Sequence, residues 1–130
     1  VIACGKHFPG HGGTVVDSHL ELPVQNSSTS EMEAVEFVPF RQLIEDGLQL
    51  IMTAHILYPK LDPDFPATLS KPIIQQLLRN HFGFKGTVIT DALEMQALSN
   101  YTRAELATQA IAAGVDLLLV AQPKGIVPID

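Results

Sequence analysis

The 130-residue sequence is poor in cysteine and in basic residues. Its single cysteine, Cys4, excludes an internal disulfide and most thiolate metal sites, and we expect it to be a small residue buried in a strand. Eight Lys and Arg residues against 14 Asp and Glu residues give a net charge of −6. This balance argues against nucleic acid as a partner, because such binding depends on clustered positive charge.

The sequence also has no apolar run near the roughly 20 residues that a membrane-spanning helix needs. No signal peptide is visible, and the sequence begins with Val1 directly inside an apolar run. We expect a cytoplasmic protein, with a secreted or cell-wall-associated one as the alternative, and we expect that a portion upstream of Val1 is missing.

Apolar segments alternate with segments that have helix signals. Four apolar segments predict short strands: 1–4, 48–54, 86–90 and 115–121. Between them, S/T-x-x-E capping boxes that begin at Ser30 and Thr102, and a cap at Ser70, predict helix starts. Because the strands are apolar throughout, this order predicts an α/β fold, a parallel sheet covered by helices.

Protonatable residues follow three of the predicted strands. Lys6 and His7 follow the first strand, His55 follows the second and Asp91 follows the third. These positions share the carboxyl edge of a parallel sheet, where open α/β sheets and (β/α)8 barrels bind their ligands. We therefore expect Lys6, His7 and His55 to contact a substrate.

Asp91 allows two interpretations. A carboxylate at the end of an apolar strand is costly unless it is paired or used in chemistry, so Asp91 is a candidate nucleophile or general base. It is equally suited to be the N-cap of a helix in the segment ALEMQAL, because Asp is a favourable capping residue.

The stretch KHFPGHGGTVVDSH, residues 6–19, places further protonatable groups on a glycine-rich loop. Asp17 and His19 form a D-x-H pair, in which a carboxylate can fix the tautomer of an imidazole that exchanges protons. The alternatives are a solvated loop with incidental polar residues, or a zinc site built from His7, His11, Asp17 and His19. Pro9 and Gly10 make the H-x-x-x-H spacing a poor helix, which disfavours the metal site.

Five segments together resemble glycoside hydrolase family 3, in its β-N-acetylglucosaminidase branch. They are KHFPGHGGTVVDSH at 6–19, ELPV at 21–24, VPFRQLI at 38–44, IMTAHILYP at 51–59 and GFKGTVITDALEMQAL at 83–98. The resemblance spans nearly the whole chain. It implies a (β/α)8 barrel, which takes about 250 residues. Residues 1–130 would then be a single domain with four βα units, the C-terminal half of that barrel.

The resemblance also implies roles for individual residues. Asp91 would be the nucleophile that forms a covalent glycosyl-enzyme, His19 would be the general acid/base, and Asp17 would orient His19. Lys6 and His7 would bind sugar hydroxyls. The implied activity is that of a retaining exo-β-N-acetylglucosaminidase that removes terminal β-linked GlcNAc from peptidoglycan fragments or related glycans, with no cofactor or metal.

Other functions also fit these residues. A phosphorylase on the same scaffold would resolve the glycosyl-enzyme with phosphate instead of water. A sugar-binding fragment would keep Lys6 and His7 but lack a complete site, and a metal-dependent hydrolase is a further alternative. A half-barrel has open strand edges, so we expect the chain to need the missing N-terminal half or a second copy.

Overall fold

A computed structural model describes residues 1–14 and 21–121. In these ranges the chain forms one sheet of three strands: β1 (Cys4–Phe8), β2 (Leu50–Thr53) and β3 (Thr87–Ile89). The strands lie in the order β1-β2-β3 and all pairs are parallel. Ile51 of β2 is paired with Gly5 on one side and with Val88 on the other. The predicted parallel α/β class is therefore confirmed.

The helices occur where the sequence places them. They are α1 (Thr29–Ala34), α2 (Phe37–Glu45), a π-helix (Pro72–His81) and α3 (Arg103–Ala113), with 3-10 turns at Ala67–Leu69 and Gln96–Leu98. Pro39 lies in the first turn of α2, where proline is tolerated because backbone N–H groups there have no partner within the helix. This explains why the chain breaks between α1 and α2.

Two capping boxes start helices, one of them at a different serine from the one predicted. Thr102 and Glu105 form the predicted box at the start of α3. The predicted box of Ser30 is wrong, because the box that starts α1 is formed by Ser28 and Glu31. The segment SSTSEME contains the S-x-x-E spacing twice, and the chain uses the first, in which the Ser28 N–H donates to the Glu31 carboxylate at 2.7 Å.

The predicted boundaries of the π-helix and of α3 are supported by local chemistry. The Ser70 hydroxyl accepts a hydrogen bond from the N–H of Ile73 at 3.1 Å, which is the expected capping contact. Pro72 opens the helix itself. Gly114 ends α3 with φ of 110°, a left-handed conformation that favours glycine.

The predicted fourth strand, 115–121, is not a strand in the structure. The segment follows β3 in parallel and makes one isolated bridge, between Ile89 and Leu117. The ladder does not continue because the N–H of Leu119 donates to the side-chain hydroxyl of Thr90, at 2.9 Å, instead of to a backbone carbonyl. The four predicted βα units thus correspond to three strands and one bridge among the described residues.

Aromatic side chains join the helices to the sheet. Phe8, at the end of β1, packs edge-to-face against Phe40 of α2 and against Phe82, with ring centroids 5.1 and 5.9 Å apart. Phe82 also packs against Phe37. This cluster fixes the end of β1, and with it the residues that lead to the carboxyl edge. Within residues 1–14 and 21–121, no helix has the length and apolar character needed to cross a membrane.

Candidate active site

Two of the predicted site residues meet at the carboxyl edge of the sheet. His7 lies near the end of β1 and Asp91 lies just beyond β3. The His7 Nε2 is 3.4 Å from the Asp91 Oδ2, and the two side chains are 25% and 20% exposed. The pair is thus brought together across the width of the sheet, and it remains open to a ligand.

Asp91 is not a helix cap. Its Oδ1 accepts a hydrogen bond from the N–H of Ala92 at 2.8 Å. The following segment forms only the three-residue 3-10 turn Gln96–Leu98, which starts after Met95. The N-cap interpretation is therefore wrong, and the two carboxylate oxygens have different neighbours, the His7 ring beside Oδ2 and the Ala92 N–H at Oδ1.

Lys6 and His7 also line a cavity of about 460 Å³. The glycine-rich loop, residues 10–13, forms one side of it, and Val35, Glu36 and Pro39 belong to its other side. Lys6 is exposed and brings a positive charge to this cavity. The pair lies within β1 and not after it, because the strand spans Cys4–Phe8 instead of the predicted 1–4. Lys6 and His7 are nevertheless accessible to a small polar ligand.

The start of the glycine-rich loop is held by contacts that the sequence analysis missed. The Tyr58 hydroxyl donates to the carbonyl of Gly10 at 2.5 Å, and burial raises the pKa of Tyr58 far above its usual range. Gly10 has φ of 141°, and a Cβ there would lie 2.5 Å from the Cβ of Glu36. Tyr58 carries no recognisable spacing signal, so only the three-dimensional contact reveals its role.

His55 occupies a different environment from the one predicted. It is only 1% exposed. Its Nδ1 is 2.7 Å from the Thr68 Oγ1, and its Nε2 is 2.9 Å from the carbonyl oxygen of Ala92. Burial lowers the pKa of His55, although the bond to Ala92 and the charge of Asp91 oppose this effect. Because both ring nitrogens have protein partners, the expectation that His55 contacts a substrate does not fit this arrangement.

The predicted acid/base pair, Asp17 and His19, falls in 15–20, outside the described residues. The metal alternative included these two residues with His7 and His11, whose rings lie 5.6 Å apart, edge to face. In the part of the chain that is described, no group of three or more His, Cys, Asp or Glu side chains is arranged to hold a metal ion.

Comparison with known proteins agrees with this geometry. The sequence matches the "Glycosyl hydrolase family 3 N terminal domain" over residues 1–128. The chain belongs to glycosyl hydrolase family 3. Within this family it aligns with the β-hexosaminidase branch, since it is 47% identical over 121 residues to a β-hexosaminidase of Tolumonas auensis, with 90% of this chain and 35% of the relative covered. A β-hexosaminidase of Nitrosomonas eutropha is 41% identical and the match covers 92% of this chain and 34% of that protein.

Solved structures of family 3 proteins share the fold of the chain. A family 3 β-N-acetylglucosaminidase from Paenibacillus sp. str. FPU-7 has a TM-score of 0.89 and 47% identity, covering 92% of this chain and 23% of that protein. NagZ from Neisseria gonorrhoeae, in complex with N-trifluoroacetyl-D-glucosamine, has a TM-score of 0.81 and 40% identity, covering 92% and 33%. The chain thus spans about a third of the length of the curated relatives it matches.

Proposed function

We propose that the chain forms part of a retaining exo-β-N-acetylglucosaminidase in which Asp91 is the nucleophile. The observation that carries this proposal is the contact at the carboxyl edge, where the Asp91 Oδ2 lies 3.4 Å from the His7 Nε2. The names of the family 3 relatives, β-hexosaminidase and β-N-acetylglucosaminidase, support the substrate class. The substrates would be terminal β-linked GlcNAc residues on peptidoglycan fragments or related glycans.

The proposed reaction has two steps. In the first, Asp91 attacks the anomeric carbon and the bond to the leaving oxygen breaks, while His19 donates a proton to that oxygen. In the second, His19 takes a proton from water, and the water attacks the same carbon and releases Asp91. Two inversions leave the configuration of the sugar unchanged. Asp17 would hold His19 in the tautomer that both steps need.

The donors around Asp91 suit a nucleophile that must be both oriented and released. The N–H of Ala92 and the ring of His7 lie beside different oxygens of the carboxylate. They restrict its rotation and stabilise its charge when the glycosyl-enzyme breaks down. Lys6 and His7, which line the adjacent cavity, would bind hydroxyl groups of the sugar.

A chain that covers about a third of its relatives' length does not supply a whole active site by itself. We therefore propose that activity requires the rest of the barrel, either from the same protein outside residues 1–130 or from a second copy. The experiments below use the whole natural protein that carries this sequence, so that this requirement is met.

Rescue by azide tests the role of Asp91. Asp91→Ala should abolish turnover of an activated nitrophenyl β-GlcNAc substrate while the protein still binds GlcNAc. Azide should then restore release of nitrophenol and give the α-glycosyl azide, because a small anion takes the place of the missing carboxylate. Asp64→Ala, which removes an exposed carboxylate on the loop after β2, is the matched control and should stay active. Full activity of Asp91→Ala would overturn the proposal.

Leaving groups test the role of His19. His19→Ala should reduce turnover least for substrates whose leaving groups need no proton, such as dinitrophenol, and most for natural glycans. An equal loss for all leaving groups would contradict the acid role. Product analysis with and without phosphate separates the hydrolase from a phosphorylase, because only a phosphorylase forms GlcNAc 1-phosphate.

A further inference from the structure

We infer that His55 is a positioning residue that holds the backbone on which Asp91 is placed, and that Thr68 fixes the tautomer in which it does so. The inference rests on the proposed role of Asp91 as nucleophile. It replaces the expectation that His55 contacts a substrate.

The hydrogen-bond partners of His55 locate the proton on its ring. A backbone carbonyl only accepts hydrogen bonds, so the His55 Nε2 must donate to the Ala92 oxygen, 2.9 Å away. The alternative neutral tautomer would direct a lone pair of Nε2 at the lone pairs of this oxygen. Burial favours the neutral ring, so Nδ1 carries a lone pair and needs a donor.

Thr68 supplies that donor. Its single hydroxyl proton has two acceptors within reach, the His55 Nδ1 at 2.7 Å and the Ala54 carbonyl at 3.0 Å, and the Thr53 hydroxyl lies 2.9 Å away. The Ala54 carbonyl also accepts from the Thr68 N–H at 3.2 Å, so we assign the hydroxyl proton to the closer Nδ1. When Thr68 donates to Nδ1, the Thr53 hydroxyl donates to Thr68 in turn. Thr53, His55 and Thr68 are all at most 1% exposed, so water does not compete for these bonds.

The peptide unit between Ala92 and Leu93 is held at both ends. His55 binds its carbonyl, and its N–H, which belongs to Leu93, donates to the carbonyl of Leu119 at 3.0 Å. The N–H of Ala92, one peptide earlier, donates to the Asp91 Oδ1. Of these anchors, only the His55 bond links the segment after β3 to the segment after β2.

Buried and accessible groups therefore have different roles. His55 does not touch a substrate, but it fixes the direction of the Ala92 carbonyl and thereby the backbone that places the Asp91 carboxylate beside His7. Loss of this bond should leave sugar binding intact and slow the step in which the carboxylate must reach the anomeric carbon.

Three substitutions separate the two ring nitrogens. His55→Gln keeps a donor near the position of Nε2, His55→Asn keeps a polar group near Nδ1 only, and His55→Leu keeps neither. We expect kcat to fall roughly three- to tenfold in the Asn and Leu variants, the effect of one lost hydrogen bond, and to stay within about twofold of wild type in the Gln variant. The KM and the inhibition constant of GlcNAc should not change. His81→Leu, the same change at a 58% exposed histidine, is the matched control.

A measurement on the unaltered protein keeps the inference testable if a variant does not fold. In the whole natural protein labelled with ¹⁵N-histidine, the NMR signal of His55 should show the proton on Nε2. The Thr68→Val variant should lower kcat, and Thr68→Ser, which keeps the hydroxyl, should restore it. A proton on Nδ1 with a bare Nε2, or equal kcat values for folded Gln, Asn and Leu variants, would overturn the inference.

Failure of the inference and failure of the proposed function give different results. If azide does not rescue Asp91→Ala, the proposed nucleophile is wrong whatever the His55 variants do. If azide rescues it and His55→Leu behaves as wild type, only the positioning role is wrong.

Discussion

The strands β1 and β2 end at the same edge of the sheet, but the polar residues at and beyond these two strand ends have different roles. In the loop after β2, the residues Asp62, Thr68 and Ser70 are at most 5% exposed, and their side chains form hydrogen bonds within that loop. At the end of β1 itself, Lys6 is exposed and His7 is half-buried, and both line a cavity together with the loop that follows. A polar residue at a strand end therefore indicates a ligand site when its side chain is accessible and lines a cavity, whereas a buried polar residue with hydrogen bonds inside the protein indicates a structural role.

Asp62 gives the largest expected effect on the stability side of this comparison. Its carboxylate accepts bonds from the Ser70 hydroxyl at 2.6 Å and from the N–H groups of Asp64 and Phe65. Asp62→Ala leaves these donors without an acceptor and should lower the free energy of unfolding by about 2–4 kcal/mol, measured by urea denaturation. The exposed Asp64→Ala is the control, and similar losses in both variants would contradict the contrast.

His7 gives the largest expected effect on the activity side. His7→Ala removes the imidazole beside the charged Asp91 and should lower kcat/KM roughly 10- to 150-fold, the loss expected when a polar partner of a charged group is removed. Its melting temperature should stay close to that of wild type, because the ring is partly exposed. If His7→Ala loses stability but keeps its activity, His7 has a structural role and the proposed contrast is wrong.

The capping box of α1 offers a smaller and cleaner test of the fold. Ser28→Ala removes the side chain that caps the N–H of Glu31 and should cost about 1 kcal/mol. Ser30→Ala, the same change at a position inside the helix, should cost little because alanine favours helix. Denaturation curves of the two variants decide between the observed box and the one predicted from the sequence.

The smallest expected effect concerns pH. The pKa of His55 lies below its ordinary value of 6.5 in the folded protein, so below about pH 6.5 the unfolded chain binds the proton more readily. His55 should therefore reduce stability as pH falls, by up to about 0.7 kcal/mol between pH 7 and 6. His55→Gln should lack this contribution, and parallel stability curves for both proteins would show that His55 is not buried as described.

Much of the fold could be predicted from the sequence because its signals are local. Apolar runs mark β2 and β3, and Thr102 and Ser70 cap helices as expected, whereas the first strand lies later than predicted, at Cys4–Phe8 instead of 1–4. The bridge at Leu117 could not be separated from a full strand, because the interruption comes from the Thr90 hydroxyl. Local spacing also could not choose between the two S-x-x-E boxes, since Ser28 with Glu31 and Ser30 with Glu33 have the same residue types at the same spacing.

The candidate site was predictable in part for the same reason. Strand ends locate Lys6, His7 and Asp91 at one edge, and the structure brings His7 and Asp91 to 3.4 Å. The same rule placed His55 in the site, although its ring is enclosed by Thr68 and Ala92. The position of a residue at a strand end fixes where its backbone lies, whereas contacts with other segments decide whether its polar atoms face a ligand or the protein interior.

Trapping of the glycosyl-enzyme tests the central claim most directly. The whole natural protein is incubated with a 5-fluoro-GlcNAc donor that forms the intermediate faster than it breaks down, and its peptides are then mapped by mass spectrometry. We predict one 5-fluoro-N-acetylhexosaminyl group on the peptide that contains Asp91, attached to that carboxylate. A label on another residue, or slow turnover of the donor with no label at any time, would contradict Asp91 as the nucleophile.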